Sequence, residues 1–223
     1  MVIQNIQEVG QFIELKFKMM LKWVDARVLF YNLKKNQKFN SLSLSEQQAL
    51  WNPKFVFWNT KKELRTINDE TTFASVNRSG NGKIIDKSVN EDILTYLGAE
   101  NPISNSRVYS LQFFCDYNMQ WYPFDQQTCN IEIIMDGVLD SYADMVAGDI
   151  LFSGPMELTQ YYVVSYDMKK KKMQDKDVMI VSITLGRRLL GIPYLLVENR
   201  KCSALRGFCS SPSLLSPIFE FRW

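Results

Sequence analysis

Between Ile13 and Trp23 apolar and polar side chains alternate without a break. Ile13, Leu15, Phe17, Met19, Leu21 and Trp23 fall on one side, and Glu14, Lys16, Lys18, Met20 and Lys22 on the other. A period of two belongs to an extended strand with one face in a core, and no helix can hold it. The pattern recurs from Arg107 to Cys115 with Tyr109, Leu111, Phe113 and Cys115 inward, and from Asn130 to Met135 with Ile131, Ile133 and Met135 inward. It returns from Val178 to Leu185, where Met179, Val181, Ile183 and Leu185 oppose Ser182 and Thr184. Turn signals separate these runs at Arg78-Ser79-Gly80-Asn81-Gly82, Asn101-Pro102 and Ser153-Gly154-Pro155. Helical periodicity is scarce, and "SLSEQQAL" (residues 43–50) supports one short turn of helix. The chain is therefore expected to be all-β, a sandwich of antiparallel strands, and at 223 residues it fits a single domain.

Composition narrows the function classes. Apolar residues make up 46% and charged residues 22%, enough for a buried core. With 26 basic against 24 acidic residues, charge alone recruits neither nucleic acid nor an anionic membrane. There is no histidine, which removes Ser-His-Asp and Cys-His nucleophiles and His-ligated metal sites. No carboxylate pair stands in a cleft-like context, so the chain is read as a non-enzyme with no cofactor and no metal. The run Lys169–Lys172 suits the exposed tip of a hairpin. After Leu185, "GRRLLGIPYLLV" ends in an apolar stretch of nine residues, short of the roughly 20 needed to cross a bilayer. Residues 191–223 show no period and read as an irregular tail.

The four cysteines are Cys115, Cys129, Cys202 and Cys209, and none forms a CxxC pair. Metal-ribbon spacing is absent, so a disulfide between Cys115 and Cys129 is the better reading, and one between Cys202 and Cys209 is sterically allowed. Such bonds persist in oxidising compartments, in keeping with the glycosylation sequon Asn77-Arg78-Ser79. The opening "MVIQNIQEVG" carries no export signal. A bond from Cys115 to Cys129 would tie the ends of two neighbouring strands and leave the intervening loop at one pole of the sandwich. Trp121, Tyr122 and Phe124 would be displayed there as a contact surface, or folded back as a lid on the core. X-Pro bonds admit the cis form, so Pro123 is a candidate for one.

The thirteen-residue spacer, its "YPFDQQTC" ending (residues 122–129), "WVDARV" (residues 23–28) and "LWNPKFVFWNT" (residues 50–60) together resemble the ligand-binding domain of the Cys-loop receptors, the pentameric neurotransmitter-gated ion channels. The likeness covers about residues 10–190. "SGPMELTQYYV" and "VSITLGRRL" resemble the late strands and pre-membrane arginine segment of invertebrate anion-channel members.

The resemblance implies an extracellular, immunoglobulin-like sandwich of about ten antiparallel strands over residues 1–190, with the N-terminal helix and most of the first strand missing and the irregular tail standing in place of the membrane helices. It implies a homo- or hetero-pentamer with related subunits that binds a small agonist, of amine or amino acid type, at subunit interfaces. Contact with a membrane would come only through the missing helices or through full-length partners. Trp121, Tyr122, Pro123, Phe124 and Asp125 would form the coupling surface with Arg187 or Arg188, and Trp23 and Asp25 would be structural. Trp58, Tyr161, Tyr162 and Tyr166 are candidates for the aromatic agonist site, with Lys18 on the complementary strand. Two other readings are a secreted transmitter-binding or dominant-negative subunit-like protein and an adhesion-type sandwich.

Overall fold

The computed structural model describes residues 1–62, 64–86, 93–136, 144–173, 176–188 and 218–222. In chain order the strands are β1 (Val2–Gln7), β2 (Phe12–Trp23), β3 (Leu29–Tyr31), β4 (Lys54–Phe57), β5 (Leu64–Arg65), β6 (Phe73–Val76) and β7 (Lys83–Asp86). They continue with β8 (Ile93–Leu97), β9 (Ile103–Phe114), β10 (Gln126–Asp136), β11 (Asp144–Val146), β12 (Tyr161–Met173), β13 (Lys176–Arg187) and β14 (Ile218–Arg222). The one α-helix among the described residues, α1 (Leu44–Ala49), starts at a capping box in which the Ser43 side chain accepts from Glu46 N–H and the Glu46 carboxylate accepts from Ser43 N–H.

Strands β11, β14, β2, β9 and β6 form one sheet in that order, with β1 also paired to β2. A second sheet runs β12, β13, β10, β4, β5, and a third, small one runs β3, β8, β7. The expected all-β sandwich is what the chain forms. Its pairings are antiparallel except for β14 on β2, among the described residues. The alternation in β2 is obeyed throughout: Ile13, Leu15, Phe17, Met19, Leu21 and Trp23 are buried, whereas Lys16 and Lys18 are exposed.

Aromatic rings join the two large sheets. The Phe57 ring of β4 meets Phe17 of β2 edge-on at 5.7 Å and Tyr109 of β9 at 5.3 Å. Trp23 is fully buried, and Asp25 just beyond it is held by both guanidinium nitrogens of Arg27 at 2.7 and 2.8 Å. Gly98 closes against this corner, where a Cβ would sit 2.1 Å from the Asp25 carbonyl oxygen.

Three expectations change. Cys115 and Cys129 tie the two sheets to each other, since Cys115 follows β9 and Cys129 lies in β10. The lysine run is strand, with Lys169–Lys172 paired to Asp177–Ile180 of β13. Of the segment read as an irregular tail, residues 218–222 form β14, and residues 191–217, with Cys202 and Cys209, lie outside the described residues. Among the described residues no helix is long and apolar enough to cross a membrane.

Candidate functional site at the foot of the sandwich

The Cys115–Cys129 disulfide closes the loop with Cα atoms 5.0 Å apart. Inside it, Tyr117 is buried and its hydroxyl donates to the Phe12 carbonyl at 3.2 Å. Gln127 fixes the loop's stem reciprocally: its carbonyl oxygen accepts from Asn118 N–H at 2.9 Å and its amide donates to the Asn118 carbonyl at 2.8 Å. The tip is a turn from Trp121 to Phe124 around a cis Tyr122–Pro123 bond, closed by Phe124 N–H on the Trp121 carbonyl at 2.7 Å. Trp121, Tyr122 and Phe124 are 73%, 64% and 72% exposed, so they are displayed at the pole and do not form a lid.

Behind the tip stands a buried ion pair. Asp125 and Arg187 continue the β10–β13 ladder by one step past the pair Gln126 and Gly186. Both therefore take the inward parity of their strands. An inward charge must find its opposite. Arg187 donates through Nε to Asp125 Oδ1 at 2.6 Å and through Nη2 to Asp125 Oδ2 at 3.0 Å, a two-pronged grip that suits guanidinium and carboxylate. Its Nη1 reaches Glu8 Oε1 at 2.8 Å, on the turn between β1 and β2, and Nη2 also donates to the Tyr161 hydroxyl at 2.6 Å. The guanidinium lies between two rings, 4.8 Å from the Tyr122 centroid and 4.7 Å from that of Tyr161. Hydrogen bonding from Arg187 holds the Asp125 carboxyl below its ordinary range, and the same bond raises Arg187. Burial, then the bond to Glu8, pushes the Tyr161 hydroxyl up. Arg188 turns the other way: it donates to the Leu158 carbonyl at 3.1 Å and faces Glu157 at 3.6 Å.

The expected coupling residues thus come together, and the expected agonist residues scatter. Tyr161 is buried inside the Arg187 cluster. Tyr162 lies over Gly186, whose Cβ would meet its ring at 2.5 Å. Trp58 is exposed, and its N–H donates to the Glu132 carbonyl. Tyr162 stands in the row of Gln126 and Trp58 in the row of Glu132, which separates them by roughly 20 Å along β10. Tyr166 stacks on Phe152 at 5.7 Å beside the β12 edge. Lys18 is exposed on β2, in the opposite sheet. Asn77 is half-buried where the chain leaves β6.

A family model described as the neurotransmitter-gated ion-channel ligand binding domain matches residues 1–135. The chain belongs to this family. No curated protein matches it. Neurotransmitter-gated channel ligand-binding domains are receptor domains, not enzymes; the family is extracellular, assembles as pentamers with related subunits and binds small-molecule agonists.

In this ligand-binding domain, sequence reasoning missed Glu8 and Gln127. A signal existed for Gln127: Asp125, Gln127, Cys129, Ile131 and Ile133 share one parity, so two polar side chains point into the core where a strand begins. For Glu8 there was only the turn signal of Gly10, since nothing local says that this turn folds against the end of β13.

Proposed function

We propose that the chain is the extracellular ligand-binding part of a ligand-gated channel subunit, that it binds a small amine or amino acid between two copies, and that its Cys loop passes the event on. The observation that carries this reading is Arg187, which gathers the Cys loop, the β1–β2 turn and the ends of β12 and β13 at one pole behind three exposed aromatic rings. The β12–β13 ladder runs without a gap in pairing from Tyr166 to Met173 and, after one bulge, down to Arg187. A shift at the hairpin is thus delivered to the pole. Lys18 faces outward from one sheet and Trp58 from the other, so residues of this kind share a site only where one copy meets the next. On this reading Trp58 supplies an aromatic face to the cation, Lys18 comes from the neighbour, and Tyr166 acts from the edge of the hairpin, stacked on Phe152. Tyr162 borders the same face lower down, Tyr161 serves the coupling cluster, and Asn77 carries a glycan.

The test combines light scattering with thermal shift on the secreted full chain, using acetylcholine, serotonin, γ-aminobutyrate, glycine and glutamate as probes. A pentamer whose Tm rises saturably with one probe, and loses that response in Trp58→Ala but not in Trp121→Ala, is the expected result. A strict monomer that answers none of the five overturns the proposal.

A further inference from the structure

The edge of β2 is occupied in two halves. Along its first half β1 runs antiparallel, from Gln7 opposite Phe12 to Val2 opposite Lys16. Along its second half β14 runs parallel, with Ile218, Phe219 and Glu220 opposite Met20, Leu21 and Lys22. The other side of β14 pairs antiparallel with β11, placing Glu220, Phe221 and Arg222 opposite Val146, Met145 and Asp144. Among the described residues β11 has no other ladder, so it joins the sheet only through β14. Its central residue, Met145, is nevertheless buried at 3% exposure and belongs to the core.

Two backbone edges thus converge on one short extended segment from the far end of the chain. Without that segment, those N–H and C=O groups of Met20–Lys22 that point away from β9, and those of β11 that point to β14, lose their partners, a cost the fold must meet with water or another strand. A slot of this kind binds through backbone hydrogen bonds, and any extended peptide of suitable register can supply them.

We propose that β2 at Met20–Lys22 and β11 form a slot for strand addition, and that its occupant is this chain's own C-terminal segment, residues 218–222, which completes the sheet from within. The ladder alone carries this, whatever small molecule the chain binds. In a chain that lacks its own segment, the slot accepts the same sequence supplied as a free peptide.

Two measurements test it. The chain ending at residue 217 is compared with the full chain by hydrogen exchange. Protection of those amides in Met20–Lys22 and Asp144–Val146 that face β14 is expected to fall about tenfold or more, while that of Phe12–Lys16, paired to β1, holds. A synthetic peptide of residues 216–223 restores the lost protection, and its scrambled form does not. Unchanged protection in the shortened chain overturns the proposal. Should the shortened chain fail to fold, the full chain carrying Val146→Cys and Glu220→Cys decides, because these positions are cross-strand partners. An internal cross-link found by peptide mapping supports self-completion. A cross-link between copies, or none, overturns it.

Discussion

Arg187 is the residue on which the foot of the sandwich depends. Its side chain is 8% exposed and that of Asp125 is 2%, so neither charge has water to fall back on. Breaking such a pair from one side leaves a buried ion alone, at about 3–5 kcal/mol. Arg187→Gln is expected to lose about that much stability in urea unfolding. Arg187→Lys should recover only part of it, because a point charge cannot bond Asp125 twice and lie between two rings. The pH dependence has a definite sign. Asp125 binds a proton less readily in the fold than in the unfolded chain, so its contribution is full above about pH 4 and fades as pH falls through its lowered value. Asp125→Asn should therefore be less stable at neutral pH and show a shallower loss of Tm below pH 4. The loss will not vanish, since bonds from Thr71 and Arg107 lower Asp69 to about 2.

At the scale of elements, the disulfide does more than close a loop. It joins β10 to the end of β9 across the two sheets, beside the buried Tyr117. Cys115→Ser with Cys129→Ser is expected to cost about 3 kcal/mol, read as a lower urea midpoint in the oxidised comparison. Four of the five long strands among the described residues were legible in the sequence because each has one face in the core, and the period of two records that directly; β12 was not, since beyond Val163 it is mostly exposed. The helix was legible through its cap, and Ser43→Ala should cost about 1 kcal/mol in the same assay. The third sheet was not legible, as strands as short as Leu29–Tyr31 hold too few residues to show a period. Nor could spacing reveal that β9 and β10, successive in the chain, lie in opposing sheets: alternation names the buried face but not the partner strand. The candidate coupling residues were named through the family resemblance, and the inward parity of Asp125 and Arg187 is what brings them together in the fold. The proposed agonist residues do not come together within one copy, and no pattern along a single chain records a contact between copies.

For the whole molecule, the outward faces of the two sheets matter more than any cavity inside one copy. If Lys18 and Trp58 meet between copies, Lys18→Glu should lower the probe affinity of the assembled protein and leave the Tm of the ligand-free chain within about 0.5 kcal/mol of stability, as surface changes do. The oligomer is checked by light scattering in the same samples. The borders of the sheets have their own part in that assembly. The lower half of β12 is covered by the segment around Met156 to Leu158, which bonds Val163 and Tyr161. Its upper half has no further ladder partner among the described residues, and that half carries Lys169–Lys172. Lys169 is paired with Asp167 and Lys170 with Asp144 and Asp177, and the lysines still leave this border with positive charge that disfavours pairing with a second such border. That border can then lie beside a second copy without the two sheets joining edge to edge, and salt should weaken this protection before it weakens the fold.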